Sequence, residues 1–237
     1  MIRATLESIS QNLTAVRVRI RVAAEQAGRD PASVRLLAVS KACPAAAIIK
    51  AYAAGQLEFG ENYLQEALPK MQILGHHPGL AWHFIGTLQG NKTRAVAEHF
   101  TWVHTVDRER IAQRLSTQRP AALPPLNICI EVRFGSEPAK SGVMPEQVPA
   151  LAEYISALPR LHLRGLMCIP PPAEDVATQR RAFRGLWEIF DVLNRQGHGL
   201  DTLSMGMSGD FEAAILEGAT LVRLGSAIFG ARPSNHS

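Results

Sequence analysis

Apolar residues recur at Leu6, Ile9, Leu13, Val16, Ile20 and Ala24, in steps of three and four. That spacing lays one stripe along a helix, and Gly28 followed by Pro31 ends it. Beyond this point the pattern changes to short apolar runs separated by stretches of helical period. Runs of strand character cover 34–40, 57–59, 81–86, 101–106, 126–132, 161–167, 202–206 and 220–225. Helical stretches between them include 45–54, 62–74, 107–118, 146–157, 175–196 and 209–217. Eight strands, each followed by helix, in 237 residues predict an α/β fold, a single (β/α)8 TIM-type barrel. The first stretch, residues 1–28, is then an extra N-terminal helix packed on the barrel. An open, doubly wound sheet would more naturally use five to seven strands. The proline-rich spots at 120–125 and 170–172 fall between elements and are too short to be linkers, so one domain over 1–237 is expected.

Composition changes this picture little. Hydrophobic residues make up 46% and charged residues 19%, enough apolar surface for a sizeable core. The net charge of +4 is scattered, and its densest cluster, Arg17, Arg19 and Arg21, alternates with Val18, Ile20 and Val22 in the first helix. That reads as a solvated helix face, and no nucleic-acid partner is expected. No run of about 18 apolar residues is present and the first residues lack an apolar leader core, so no membrane span and a cytoplasmic location are expected. Cys43, Cys129 and Cys168 form no CxxC pair, which points to a reducing compartment without disulfides or a zinc motif. The histidines lack metal-ligand spacing, with His76-His77 read as a solvent-facing loop doublet, so no metal site is expected.

In such barrels chemistry gathers where strands run into the following loops. Those points carry Ser40-Lys41, Gly60-Glu61-Asn62, Gly86-Thr87-Leu88-Gln89, the segment from Met205 to Asp210, and Arg223 to Ser226. Loops after the last two strands commonly bind phosphate, and Ser208, Gly209, Gly225 and Ser226 offer a hydroxyl and closely approachable backbone N–H groups. Lys41 shares strand parity with Leu37 and Val39. If that face points inward, apolar surroundings lower its pKa and free the amine for Schiff-base chemistry; otherwise it is a lysine reaching water from a strand end. The inward case also fits a cofactor-free aldolase, for which Glu61 is the nearby acid–base candidate. Arg223 shares parity with Leu221 and Gly225 and needs a partner in a barrel interior. That partner is either a pyridine nitrogen, as pyridoxal phosphate (PLP) sites use, or a core carboxylate such as Glu131, for which Arg164 competes.

The blocks LLAVSK (36–41), FGENYLQE (59–66), WHFIGTLQGNK (82–92), SGV preceded by EPAK (137–143), RGLMCIP (164–170) and the long segment 203–232 resemble the pyridoxal phosphate homeostasis protein family. That family shares the barrel of the alanine-racemase fold type, and the blocks span nearly the whole chain in its order. The resemblance implies pyridoxal 5'-phosphate as cofactor, held as a Schiff base on Lys41. It places Asn62 beside the ring, Arg223 at the pyridine nitrogen, and Ser208, Gly225 and Ser226 around the phosphate, with Met205 in the cofactor-binding set. His83, Gln89, Asn91 and Lys92 belong to the third block without an assigned chemical step. Ser226 stands where Thr is common and Arg133 where Asn is usual. Lys140 is a second PLP contact or a solvated loop lysine.

The implied role is a monomeric, non-catalytic one: buffering PLP, delivering it transiently to apo PLP-dependent enzymes and balancing vitamin B6, with no catalytic residue. Barrel-type alanine racemases add a β domain carrying a tyrosine base. Only about a dozen residues follow the eighth strand here, so no such domain is expected. Of Tyr52, Tyr63 and Tyr154, only Tyr63 falls near the strand ends. The alternative is a PLP-dependent amino-acid racemase or lyase, which Tyr63 or Cys43 beside the substrate carbon would favour.

Overall fold

The computed structural model describes residues 2–75, 77–135, 141–170 and 175–230, with side chains from Ser8 onward. Helix α1 (Ile2–Gln26) is followed by eight strand–helix pairs. These are β1 (Arg35–Val39) and α2 (Ala45–Ala53), β2 (Glu58–Glu61) and α3 (Leu64–Leu74), β3 (Ala81–Phe84) and α4 (Thr93–His99), and β4 (Trp102–Val106) and α5 (Glu109–Gln118). The second half continues with β5 (Leu126–Val132) and α6 (Val148–Ser156), β6 (Leu161–Cys168) and α7 (Val176–Arg195), β7 (Thr202–Ser204) and α8 (Phe211–Leu216), and β8 (Leu221–Leu224) and α9 (Ser226–Phe229). All neighbouring strands pair in parallel, and β8 returns to β1 with Leu37 opposite Arg223, closing the barrel. This is the (β/α)8 architecture that the alternating runs predict.

Strand alternation sorts the core into two parts. Ala38, Phe59, Val103, Ile128, Leu166 and Val222 face outward into the main apolar layer under the helices. Facing inward, Leu37, Val39, Ile85 and Leu221 form one small cluster, and Trp102, Cys129 and Met167 another. Each large side chain so buried contributes about 1.5–3 kcal/mol. The parity of Lys41 with Leu37 and Val39 therefore does direct it toward the barrel axis.

The apolar stripe of helix α1 from Ile9 through Leu13, Val16, Ile20 and Ala24 is buried, and α1 packs against α2, α8 and α9. Its arginines have local duties. Arg17 donates to the Ala54 and Gly55 carbonyls at the end of α2, Arg19 donates to Glu212 at 2.8 Å, and Arg21 lies 3.9 Å from Glu25. Strand β7 is shorter than its apolar run. Gly206 turns the chain at φ 90°, and a Cβ there would meet the Ala214 Cβ at 2.7 Å.

Among the described residues no helix is long and apolar enough to cross a membrane. Cys129 and Cys168 are buried, which pushes both thiols up to about 12, and all the cysteines are free. His77 packs edge-on against Tyr52, with ring centroids 4.9 Å apart, so this half of the doublet is not simply solvent-facing. His76 lies outside the described residues, as does the 136–140 loop with Glu137 and Lys140.

Candidate functional site

A cleft of about 340 Å³ opens at the C-terminal end of the barrel, a size suited to a small ligand. Its lining includes Lys41 from the end of β1, Asn62 after β2, Ser208 after β7, and Arg223, Gly225 and Ser226 from β8 and its loop. Cys43, Ile169 and Met207 also line it, although strand parity does not single them out.

The loop carrying Lys41 is clamped from below. Ser40 is fully buried, and its hydroxyl donates to Glu61 Oε1 at 2.6 Å. Lys70, from α3, donates to the same oxygen and to the Ser40 carbonyl, each at 2.9 Å. Burial raises the Glu61 carboxyl pKa, while the Ser40 and Lys70 hydrogen bonds oppose that rise. Glu61 is thus a buttress for the backbone before Lys41, and the cleft lining does not include it. Lys41 itself is half-buried.

Asn62 is placed by close backbone approach. A Cβ on Gly86 would fall 2.1 Å from the Asn62 carbonyl oxygen, so only glycine lets the two loops pass. Thr105 donates to the Gly86 carbonyl at 2.6 Å and fixes that crossing. Asn62 lines the cleft, and its Oδ1 is buried without a hydrogen-bond partner. After β8, a Cβ at Gly225 would lie 3.2 Å from the Val39 carbonyl oxygen, so that loop sits tightly on β1. The Ser226 hydroxyl donates to the Ser208 hydroxyl at 3.3 Å, bringing two anion-binding candidates together.

Arg223 lies nearly fully buried on the cleft floor. It donates to the Ser204 hydroxyl and to the Cys168 carbonyl, both at 2.9 Å. Burial lowers its pKa, with neighbouring acidic groups and thiols opposing that shift, but an arginine stays cationic near neutrality. Its hydrogen bonds go to Ser204 and Cys168 rather than to the Glu131 carboxylate, and Arg164 pairs instead with Asp201 and Asn127. Glu131 has one oxygen without a partner, and burial raises its carboxyl to about 7.

Met205 does not join this group. It is fully buried in the apolar layer under the helices and is absent from the cleft lining. Its parity is opposite to that of Ser204, which faces inward to Arg223. Tyr63 is 57% exposed and borders an adjacent recess with Gln89 and Lys92 rather than the cleft. Among the described residues no group of His, Cys, Asp and Glu could hold a metal ion.

The alanine racemase N-terminal domain model matches residues 11–233. The pyridoxal phosphate homeostasis protein of Pseudomonas aeruginosa is 60% identical over 227 residues, covering 96% of this chain and 97% of that protein. Its Escherichia coli K12 counterpart is 51% identical over 230 residues, covering 96% and 98%. The structure of PipY from Synechococcus elongatus with PLP bound superposes with a TM-score of 0.82 at 38% identity, covering 94% of this chain and all of that one. Matched along almost its whole described length by a domain model and by relatives more than half identical, the chain belongs to the pyridoxal phosphate homeostasis protein family, built on the alanine racemase N-terminal domain.

Proposed function

We propose that this protein binds pyridoxal 5'-phosphate in the C-terminal cleft, attached reversibly to Lys41, and serves as a carrier in PLP homeostasis rather than as a robust catalyst. The observation that carries the reading is the convergence on one cleft of a lysine, a buried arginine and a facing serine pair. These are the groups that an aldehyde, a pyridine nitrogen and a phosphate require. The cofactor would bring an aldehyde able to condense with an amine. Ser208, Gly225 and Ser226 would receive its phosphate, and Asn62 would stand beside the ring. Arg223 would donate to the ring nitrogen.

The carrier role follows from Arg223. A guanidinium cannot give up its proton at ordinary pH, so it holds the ring nitrogen unprotonated and weakens the ring as an electron sink. Exposed Tyr63 supplies no base at the cleft floor. We place the protein in the cytoplasm as a monomer that passes PLP transiently to apo PLP-dependent enzymes. An amino-acid racemase or lyase draws support from Cys43, which lines the cleft beside Lys41.

The test is the visible absorbance of purified protein given PLP, before and after borohydride, with Lys41→Ala beside it. A yellow band that reduction fixes at Lys41, and that the variant lacks, supports covalent holding. Retention of PLP by Lys41→Ala at near-normal affinity would reduce Lys41 to a bystander. Loss of the band on adding an apo-enzyme, with no turnover of amino acids, supports the carrier; turnover abolished by Cys43→Ala supports the enzyme.

A further inference from the structure

A string of buried polar groups runs through the barrel interior beneath the cleft. Arg223 on β8 donates to Ser204 on β7 at 2.9 Å. Ser204 Oγ lies 2.8 Å from His104 Nδ1 on β4, and His104 Nε2 lies 2.9 Å from His83 Nδ1 on β3. Beyond it, His83 Nε2 faces Glu58 Oε2, on β2, at 3.6 Å, an electrostatic approach longer than a hydrogen bond that leaves both atoms without a hydrogen-bond partner, and Arg35 pairs with Glu58 at 3.2 Å. Ser204, His83 and His104 are fully buried. His83 stacks on Trp102 with the rings 5° from parallel, which sets its orientation.

The ends of the string decide the direction of every hydrogen bond in it. Arginine has only donors, so Ser204 accepts from Arg223 and is free to give its own hydrogen to His104 Nδ1. His104 then carries its proton on Nε2 and donates to His83 Nδ1. His83 in turn carries its proton on Nε2, aimed at the Glu58 carboxylate. The opposite ordering would set the bare His83 nitrogen against a carboxylate, two acceptors facing each other. Burial holds both imidazoles well below their usual pKa, so each has one proton to place.

We propose that His83, His104 and Ser204 form a hydrogen-bond relay, its polarity set by the Glu58 carboxylate that faces His83, and that this relay positions the Arg223 guanidinium against the ring nitrogen of the bound cofactor. These are positioning residues. Arg223 reaches the cleft from a barrel wall, and among the described residues its hydrogen bonds go to the Ser204 hydroxyl and one backbone carbonyl. A hydroxyl alone could rotate away, whereas a hydroxyl committed to His104 presents its lone pair to Arg223. Hydrogen bonds aligned head to tail also strengthen one another in a low-dielectric interior. The inference rests on the reading of Arg223 as the partner of the pyridine nitrogen.

The test uses PLP labelled with 15N in its ring, bound at saturation to the full chain, together with imidazole 15N spectra of the cofactor-free protein. In the cofactor-free protein both His83 and His104 are expected as neutral Nε2–H forms at pH 7. Ser204→Ala is expected to move the ring-nitrogen signal toward that of free pyridine and to weaken PLP binding about tenfold, the scale of one lost hydrogen bond to a charged group. Ser204→Thr, which keeps the hydroxyl, is expected to restore both. Simple core filling would leave the ring signal unmoved in Ser204→Ala, and a thermal melt of that one-atom deletion checks that it folds. If Arg223→Gln shifts the ring signal and Ser204→Ala does not, the relay is overturned while the cofactor site stands. If Arg223→Gln shifts nothing, the placement of Arg223 at the ring nitrogen fails and takes the relay with it. A proton on His104 Nδ1 overturns the stated polarity.

Discussion

The Ala42 backbone N–H donates to the Glu66 carboxylate at 2.7 Å, and Ala42 sits at φ 60°. A non-glycine residue in the left-handed region costs roughly 1–2 kcal/mol, so this contact on the residue after Lys41 offsets a local strain. It also connects α3 to the loop that aims the lysine into the cleft. Glu66→Ala is expected to destabilise the fold by about 1–2 kcal/mol in urea unfolding and to slow borohydride-trapped labelling of Lys41. Unchanged labelling would show that the loop keeps its shape without Glu66.

Lys70 and Glu61 form the buried pair beneath the same loop. Lys70→Met leaves Glu61, whose second oxygen already lacks a partner, as an uncompensated buried carboxylate. The expected cost is about 3–5 kcal/mol. Adding Glu61→Leu should recover a large part of it, which a double-mutant cycle by chemical denaturation measures directly.

His83 and His104 are buried neutral. As pH falls through 6.5 the unfolded chain takes up two protons there that the folded chain refuses. Together they remove up to about 2.7 kcal/mol of stability per pH unit on the acid side. Urea unfolding between pH 7 and 5.5 checks this, and His104→Asn should halve that contribution.

Glu131 works against them. Its folded carboxyl, raised to about 7 from 4.5, stays protonated where the unfolded one ionises, so stability is lost as pH rises between those values. Glu131→Gln should raise stability at pH 8 by up to about 3 kcal/mol and steepen the acid-side loss. A variant with the same pH profile as the parent would show that Glu131 ionises freely in the fold.

Gly86→Ala should displace the Asn62 loop, because the added carbon would fall 2.1 Å from the Asn62 carbonyl oxygen, far inside van der Waals contact. The expected result is weaker PLP binding together with a lower melting temperature, read by titration and by a thermal scan.

The strand count and the identity of most cleft residues were legible because both depend on period-two alternation and on where strands end. Lys41, Asn62, Ser208, Arg223, Gly225 and Ser226 all reach the cleft by that logic. Met205 is excluded by the same logic, since it follows inward-facing Ser204 and so lies on the outward face. Helices α4 and α9 are too short for a hydrophobic stripe to single them out. The His83–His104–Ser204 string was hidden for a different reason. Its members come from three strands, and β4 carries an irregularity between Val103 and Val106, so no linear spacing brings them together.

The seam where β1 meets β8 has a temporal consequence. Lys41 follows the first strand and Arg223, Gly225 and Ser226 belong to the last, so the cleft joins residues almost a whole chain apart. A nascent chain still missing β8 has a lysine but neither the arginine nor the serine pair to go with it. Closing the ring is among the longest-range events in folding, and so among the slowest to be rewarded. Cofactor capture at this seam would therefore report that synthesis and folding have both been completed, and an unfinished chain would be left without a grip on the vitamin.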